Sequence, residues 1–167
     1  MNNVKNKQSS KLCRLGIFSL RLLLASAVTF TFASFLHTQS VLSGLVSIGA
    51  KIPLSLRIKT VFVDFLGLLP TYGIIVLVGM LIAMPVAIFV MTKLHSMRKF
   101  IAQKYQIFVY AAAGALAMLC ILLAMYPILN VTIIAGARGW FGLFSQSLAG
   151  AIGGMAFALI HTSESTK

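Results

Sequence analysis

At 167 residues, with 59% hydrophobic and only 10% charged side chains, the chain lacks the polar surface that a water-soluble domain of this size requires. Its net charge of +12 would suit nucleic acid, but the basic residues flank apolar runs and are not interleaved with aromatic residues, so nucleic acid is not expected as a partner. Two acidic residues, Asp64 and Glu164, leave no carboxylate pair for acid–base or metal chemistry, so neither an enzyme nor a cofactor protein is expected.

The chain opens with a basic tail, residues 1–16, carrying Lys5, Lys7, Lys11 and Arg14. An apolar run follows at 17–36, long enough to carry an α-helix across a hydrocarbon core of about 30 Å. Basic tail and apolar run together resemble a secretory signal, but the run exceeds the usual length of such a segment. A cleavage site would need small residues in an Ala-x-Ala pattern after the run, and the nearest candidates, Ala33-Ser34-Phe35, match it poorly. An uncleaved first span that doubles as insertion signal is the expectation. Arg21 lies inside this run, about 10 Å along a helix from Arg14, within snorkelling reach of the headgroups. A charge within a span is also a functional candidate by default.

The connection at 37–70 is too long for a turn and too apolar for a solvated loop. Across 54–69, Leu54, Ile58, Val61, Phe62, Phe65 and Leu69 recur at helical spacing, opposite Arg57, Thr60 and Asp64. That pattern predicts an amphipathic helix in the membrane interface, broken by Gly67 and Pro70 before the next span. A competing extended reading rests on the alternation of Leu56-Arg57-Ile58-Lys59, a shorter run.

The second span is predicted at 71–91, with Pro85 removing a backbone donor deep inside it. The third and fourth are predicted at 106–126 and 140–160, with an apolar connection at 127–139 and a short tail at 161–167. One domain, 17–160, therefore holds four helices. The expected fold is an all-α integral membrane bundle with an amphipathic interfacial segment between the first and second spans.

Lys and Arg outside the spans fix an orientation. The N-terminal tail and the link containing Lys93, Arg98, Lys99 and Lys104 hold eight, against four at Lys51, Arg57, Lys59 and Arg138 on the other side. The positive-inside rule then puts both termini in the cytoplasm of a bacterial inner membrane, with anionic headgroups meeting the basic flanks. Cys13 and Cys120 fall near opposite faces in this threading, out of disulfide reach, and no Cys-x-x-Cys supplies thiol exchange.

Small residues recur at helical spacing: Ser145, Ala149 and Gly153 on one strip of the fourth span, Gly150 and Gly154 on its neighbour, and Gly79, Ala83 and Ala87 in the second. Such strips let helix backbones approach closely, within one bundle or against a second copy or a membrane-protein partner. Gln146 is the most polar side chain inside the fourth span, and a helix–helix hydrogen bond is its expected use. Asp64 and Arg138, both on the external side, are candidates for an ion pair tying the first connection to the entry of span four.

The histidines lie at span ends rather than paired at mid-depth, which removes a haem reading. The segments 134–154 (IAGARGWFGLFSQSLAGAIGG) and 64–72 (DFLGLLPTY) resemble small uncharacterised bacterial four-span inner-membrane proteins, a resemblance that implies no activity. A non-enzymatic assembly or packing partner in a membrane complex is the leading expectation. The alternative is a small oligomeric transporter or channel, for which Arg21, Gln146, Arg138 and Pro85 speak.

The threading is testable with reporters. Fluorescent fusions after Met97 and after Lys167 should light up in the cytoplasm, and a reporter enzyme active only outside should work near Ala50. A cytoplasmic signal near Ala50 would contradict it.

Overall fold

The structure, a computed structural model, describes residues 2–97, 103–129 and 140–162. Five α-helices follow in order: α1 (Asn2–Ser47), α2 (Leu54–Leu68), α3 (Ile74–Met97), α4 (Gln103–Leu129) and α5 (Trp140–Thr162). A π-helical segment, Leu69–Gly73, joins α2 to α3. The chain is an all-α four-helix bundle, and its four long apolar helical stretches mark it as a multi-pass membrane protein. These are Leu15–Ser47, Leu54–Leu94, Tyr105–Ala124 and Trp140–His161.

Two expectations for the 37–70 connection need correcting. First, α1 does not stop near Leu36 but continues to Ser47, 46 residues in all. It is closed there by Gly49, whose φ of 92° is the left-handed conformation that glycine adopts without a Cβ penalty. Gly49 N–H donates to the Val46 carbonyl at 3.0 Å and Ala50 N–H to the Leu45 carbonyl at 3.1 Å. That pair of bonds is the Schellman pattern, which satisfies the last carbonyls of a helix. Pro53 then stands at the N-cap of α2, which turns back along α1.

Second, Gly67 and Pro70 do not break the helix. Gly67 stays helical inside α2, and the chain runs on through the π segment into α3. Pro70 lacks an N–H, and in an ordinary α-turn its ring would crowd the carbonyl four residues back. A widened π turn accommodates it and re-phases the helix. α2 has no buried residue, whereas Tyr72, Val76, Met80 and Met84 are all buried. Pro85 sits within α3 without ending it.

Around the bundle the order is α1, α5, α4, α3 and back to α1. The closest approach is between α4 and α5. A Cβ on Gly114 would collide with the Gly150 carbonyl, and one on Gly150 with the Gly114 carbonyl and the Met118 side chain. One turn further on, a Cβ on Gly154 would strike the Tyr110 carbonyl. The next strip of α5 faces α1, where Gly153 abuts the Thr29 side chain and the Ala25 carbonyl. Phe157 is fully buried among Phe18 of α1, Tyr110 of α4 and His161, with ring centroids 6.0, 5.4 and 6.1 Å away. Burying such rings between helices replaces lipid contact by protein contact of higher density, the main attraction available inside a membrane.

Gly150→Leu should therefore wedge α4 from α5 and cost about 3 kcal/mol, at the upper end of ordinary overpacking because the obstruction is backbone. Gly67→Ala, which meets no atom within 4 Å, should be neutral or stabilise by up to about 1 kcal/mol through helix propensity. Thermal unfolding in detergent separates the two. A Gly150→Leu protein as stable as the parent would mean that α4 and α5 do not meet here.

Candidate functional site

Where α1, the π segment and α5 converge, the bundle interior turns polar. Gln146 is 1% exposed. Its Oε1 accepts from the Tyr72 hydroxyl at 2.9 Å, and its Nε2 donates to the Ala33 carbonyl at 3.0 Å. One amide thus joins three segments distant in sequence. Ala33 lies within α1, so its carbonyl uses its second lone pair to accept from Gln146. The π turn matters because it presents Tyr72, with no exposed surface, to α5.

One turn along α1, Thr38 is also fully buried, and its hydroxyl lies 3.0 Å from Asp64 Oδ2 of α2 and 3.1 Å from the Ser34 carbonyl. A hydroxyl has a single proton, so with Asp64 ionised the donation goes to the carboxylate as the stronger acceptor. His37, beside Thr38 on α1, is buried as well. Phe30 packs against Phe65 and Tyr72, with ring centroids 5.0 and 6.2 Å away, and closes the seam between α1 and the α2–α3 helix. Ser145 returns its hydroxyl to the Gly142 carbonyl at 2.9 Å, and Thr29 bonds the Ala25 carbonyl at 2.9 Å. Among the described residues, Ser26 Oγ is the buried side-chain polar atom that has no hydrogen-bond partner.

The sequence candidates distribute as follows. Gln146 sits at the centre of the seam, and Asp64 at its edge, half-buried against Thr38. Arg138 lies outside the described residues, and with it the proposed pair to Asp64. Arg21 is elsewhere, half-buried towards the other end of α1, close enough to Tyr110 and His161 for its charge to act on both. The strips Ser145, Ala149, Gly153 and Gly150, Gly154 face α1 and α4 inside the bundle. Gly79 abuts Ile121 of α4, Ala83 is half-buried and Ala87 is buried.

Sequence reasoning missed Tyr72, Thr38, Ala33 and Gly114. Gly114 sits in a run of alanines, Ala111-Ala112-Ala113-Gly114-Ala115, and stood out from them by one methyl group. Tyr72 stands two residues after Pro70, where a tyrosine reads as an interface anchor.

The seam offers three buried donors, on Tyr72, Thr38 and Gln146, and two side-chain acceptors, on Gln146 and Asp64, all used in holding helices together. Among the described residues no group of three or more His, Cys, Asp or Glu is placed to hold a metal ion. No protein-family model, no curated protein and no solved structure matches this chain.

Gln146→Leu strands the Tyr72 hydroxyl and frees the Ala33 carbonyl of its second donor, and should cost about 1–2 kcal/mol. Ser26→Ala removes a hydroxyl that has no partner and should change stability by less than about 0.5 kcal/mol, or raise it. The expected order of melting temperatures in detergent is Ser26→Ala at or above the parent, then Tyr72→Phe, then Gln146→Leu. A Gln146→Leu protein that melts with the parent would dissolve the seam as a structural element.

Proposed function

We propose that the chain is a non-enzymatic inner-membrane protein of bacteria, with both termini cytoplasmic, that serves as an assembly or packing partner in a membrane complex. On this reading it belongs with the small bacterial four-span proteins that its 64–72 and 134–154 segments resemble. The observation that carries it is the state of α2. A fifteen-residue helix with no buried residue leans on α1 and leaves Leu56, Phe62, Val63 and Leu66 exposed. α1 and α2 together extend past the first turn of α5, because Gln146, near the start of α5, already bonds Ala33, and α1 runs on to Ser47.

The glycine strips of α5, by contrast, are spent inside the bundle. A partner therefore meets side chains of the hairpin rather than a bare glycine face. Apolar side chains with Arg57 and Lys59 interspersed suit a protein surface of mixed apolar and acidic character. The transporter alternative rests on polar groups at membrane depth, yet Gln146 is engaged on both its oxygen and its nitrogen. That favours the packing role.

A photo-crosslinking amino acid at Leu56 or Phe62 should give discrete protein adducts in native membranes. The same probe at the exposed Leu116 of α4 should give lipid adducts alone. Phe62→Asp should abolish the protein adduct from Leu56 without changing the melting temperature in detergent. Lipid adducts alone at both hairpin positions would overturn the reading, and adducts to a second copy alone would favour the oligomeric alternative.

A further inference from the structure

On the lipid-facing side of α3 and α4 the two helices part to leave a groove of about 500 Å³, walled by aliphatic residues and Cys120, with no charged or hydroxyl side chain in its lining. Gly79, Ala83 and Ala87 form its floor on α3, and Ala113 and Ala117 on α4. It begins at Gly79, near the centre of the apolar stretch 71–91, and ends at Val90 and Val109. From Gly79 to Val90 is about 16 Å at about 1.5 Å per residue. One leaflet of a hydrocarbon core about 30 Å thick is about 15 Å deep, so the groove spans one leaflet from midplane to headgroup.

Its charged end is one-sided. Lys93 lies one turn beyond Val90, exposed, with Nζ 5.8 Å from the Phe89 ring centroid. Along the chain, Arg98 and Lys99 follow it and Lys104 stands in the first turn of α4, with no acid between Lys93 and Lys104. We infer that this groove is a binding site for an anionic phospholipid, one acyl chain lying between α3 and α4 and the headgroup phosphate meeting Lys93. A second copy of the chain is the poorer occupant. Inserted with the same orientation, it would bring its own Lys93 to the same depth, and like charges would face each other outside the groove. An anionic lipid supplies both the apolar rod and the counter-charge. The site is independent of the α1–α2 hairpin and stands whether or not the hairpin has a partner.

Cys120 is exposed and lines the end of the groove nearest the midplane, which makes it a reporter of occupancy. In a Cys13→Ser protein in mild detergent, the rate at which a small apolar methanethiosulfonate modifies Cys120 is followed while dioleoyl phosphatidylglycerol or dioleoyl phosphatidylcholine is added. Phosphatidylglycerol should halve the rate at about fivefold lower mole fraction than phosphatidylcholine, the preference expected from one basic side chain at the surface. Lys93→Gln, a change at an exposed position, should bring the two lipids to parity. Ala113→Leu should reduce protection by both in a protein whose melt confirms that it is folded. Equal protection of the parent by the two lipids, or protection by neither, would overturn the inference. So would efficient Cys120–Cys120 cross-linking by a bifunctional reagent that lipid does not compete away.

Discussion

The contact between the backbones of α4 and α5 sets the geometry that everything else inherits. Gly114 and Gly150 present peptide groups to each other with no side chain between them. Inside a bilayer the hydrophobic effect cannot favour helix against helix, since lipid tails are as apolar as leucine, so close packing of this kind has to supply the association. With α4 fixed on one strip of α5, the adjacent strip at Gly153 is turned to α1, and α1 seats itself through Ala25 and Thr29. α3 is held from its two sides, by α4 at Gly79 and Ile121 and by α1, whose Phe30 also packs on Tyr72 in the π segment just ahead of it.

Onto this steric frame the polar seam adds a register. Packing of small residues tolerates sliding by a turn, because one glycine is much like the next. The Gln146 amide does not, since its two bonds to Tyr72 and Ala33 are both satisfied in a single alignment of α1, the π segment and α5. Buried polar groups of this kind contribute little net stability and a great deal of specificity, because the misaligned states leave donors and acceptors unpaired in hydrocarbon. The Thr38–Asp64 contact extends the same device to α2, which otherwise meets the bundle through half-buried apolar side chains such as Phe65.

Much of this was legible in the residues. Apolar runs of spanning length are an unambiguous signal, and the spacing of Gly150, Gly153 and Gly154 announces close helix contact even though it does not say with which helix. The 37–70 region was harder for a physical reason. Pro70 is a helix breaker by local rules, but a single π turn absorbs the missing donor and the ring when the flanking sequence is strongly helical on both sides. The stop signal that does operate, Gly49 followed by Pro53, was there to be read, with glycine just past the last helical turn and proline soon after. The partners of Gln146 were not legible, because a backbone carbonyl carries no residue identity and Tyr72 enters the seam through the phase of the π turn.

The continuity of α2 with α3 has a consequence for the surrounding lipid. The apolar stretch Leu54–Leu94 runs 41 residues through α2, the π turn and α3. At about 1.5 Å per residue that is about 60 Å along the helix, twice a hydrocarbon core of about 30 Å. A stretch longer than the hydrocarbon is accommodated by tilting or by local thickening of the bilayer, at a fraction of a kcal/mol per Å. Membrane thickness thus becomes a force acting on this one helix, and through its packing on the bundle that it belongs to.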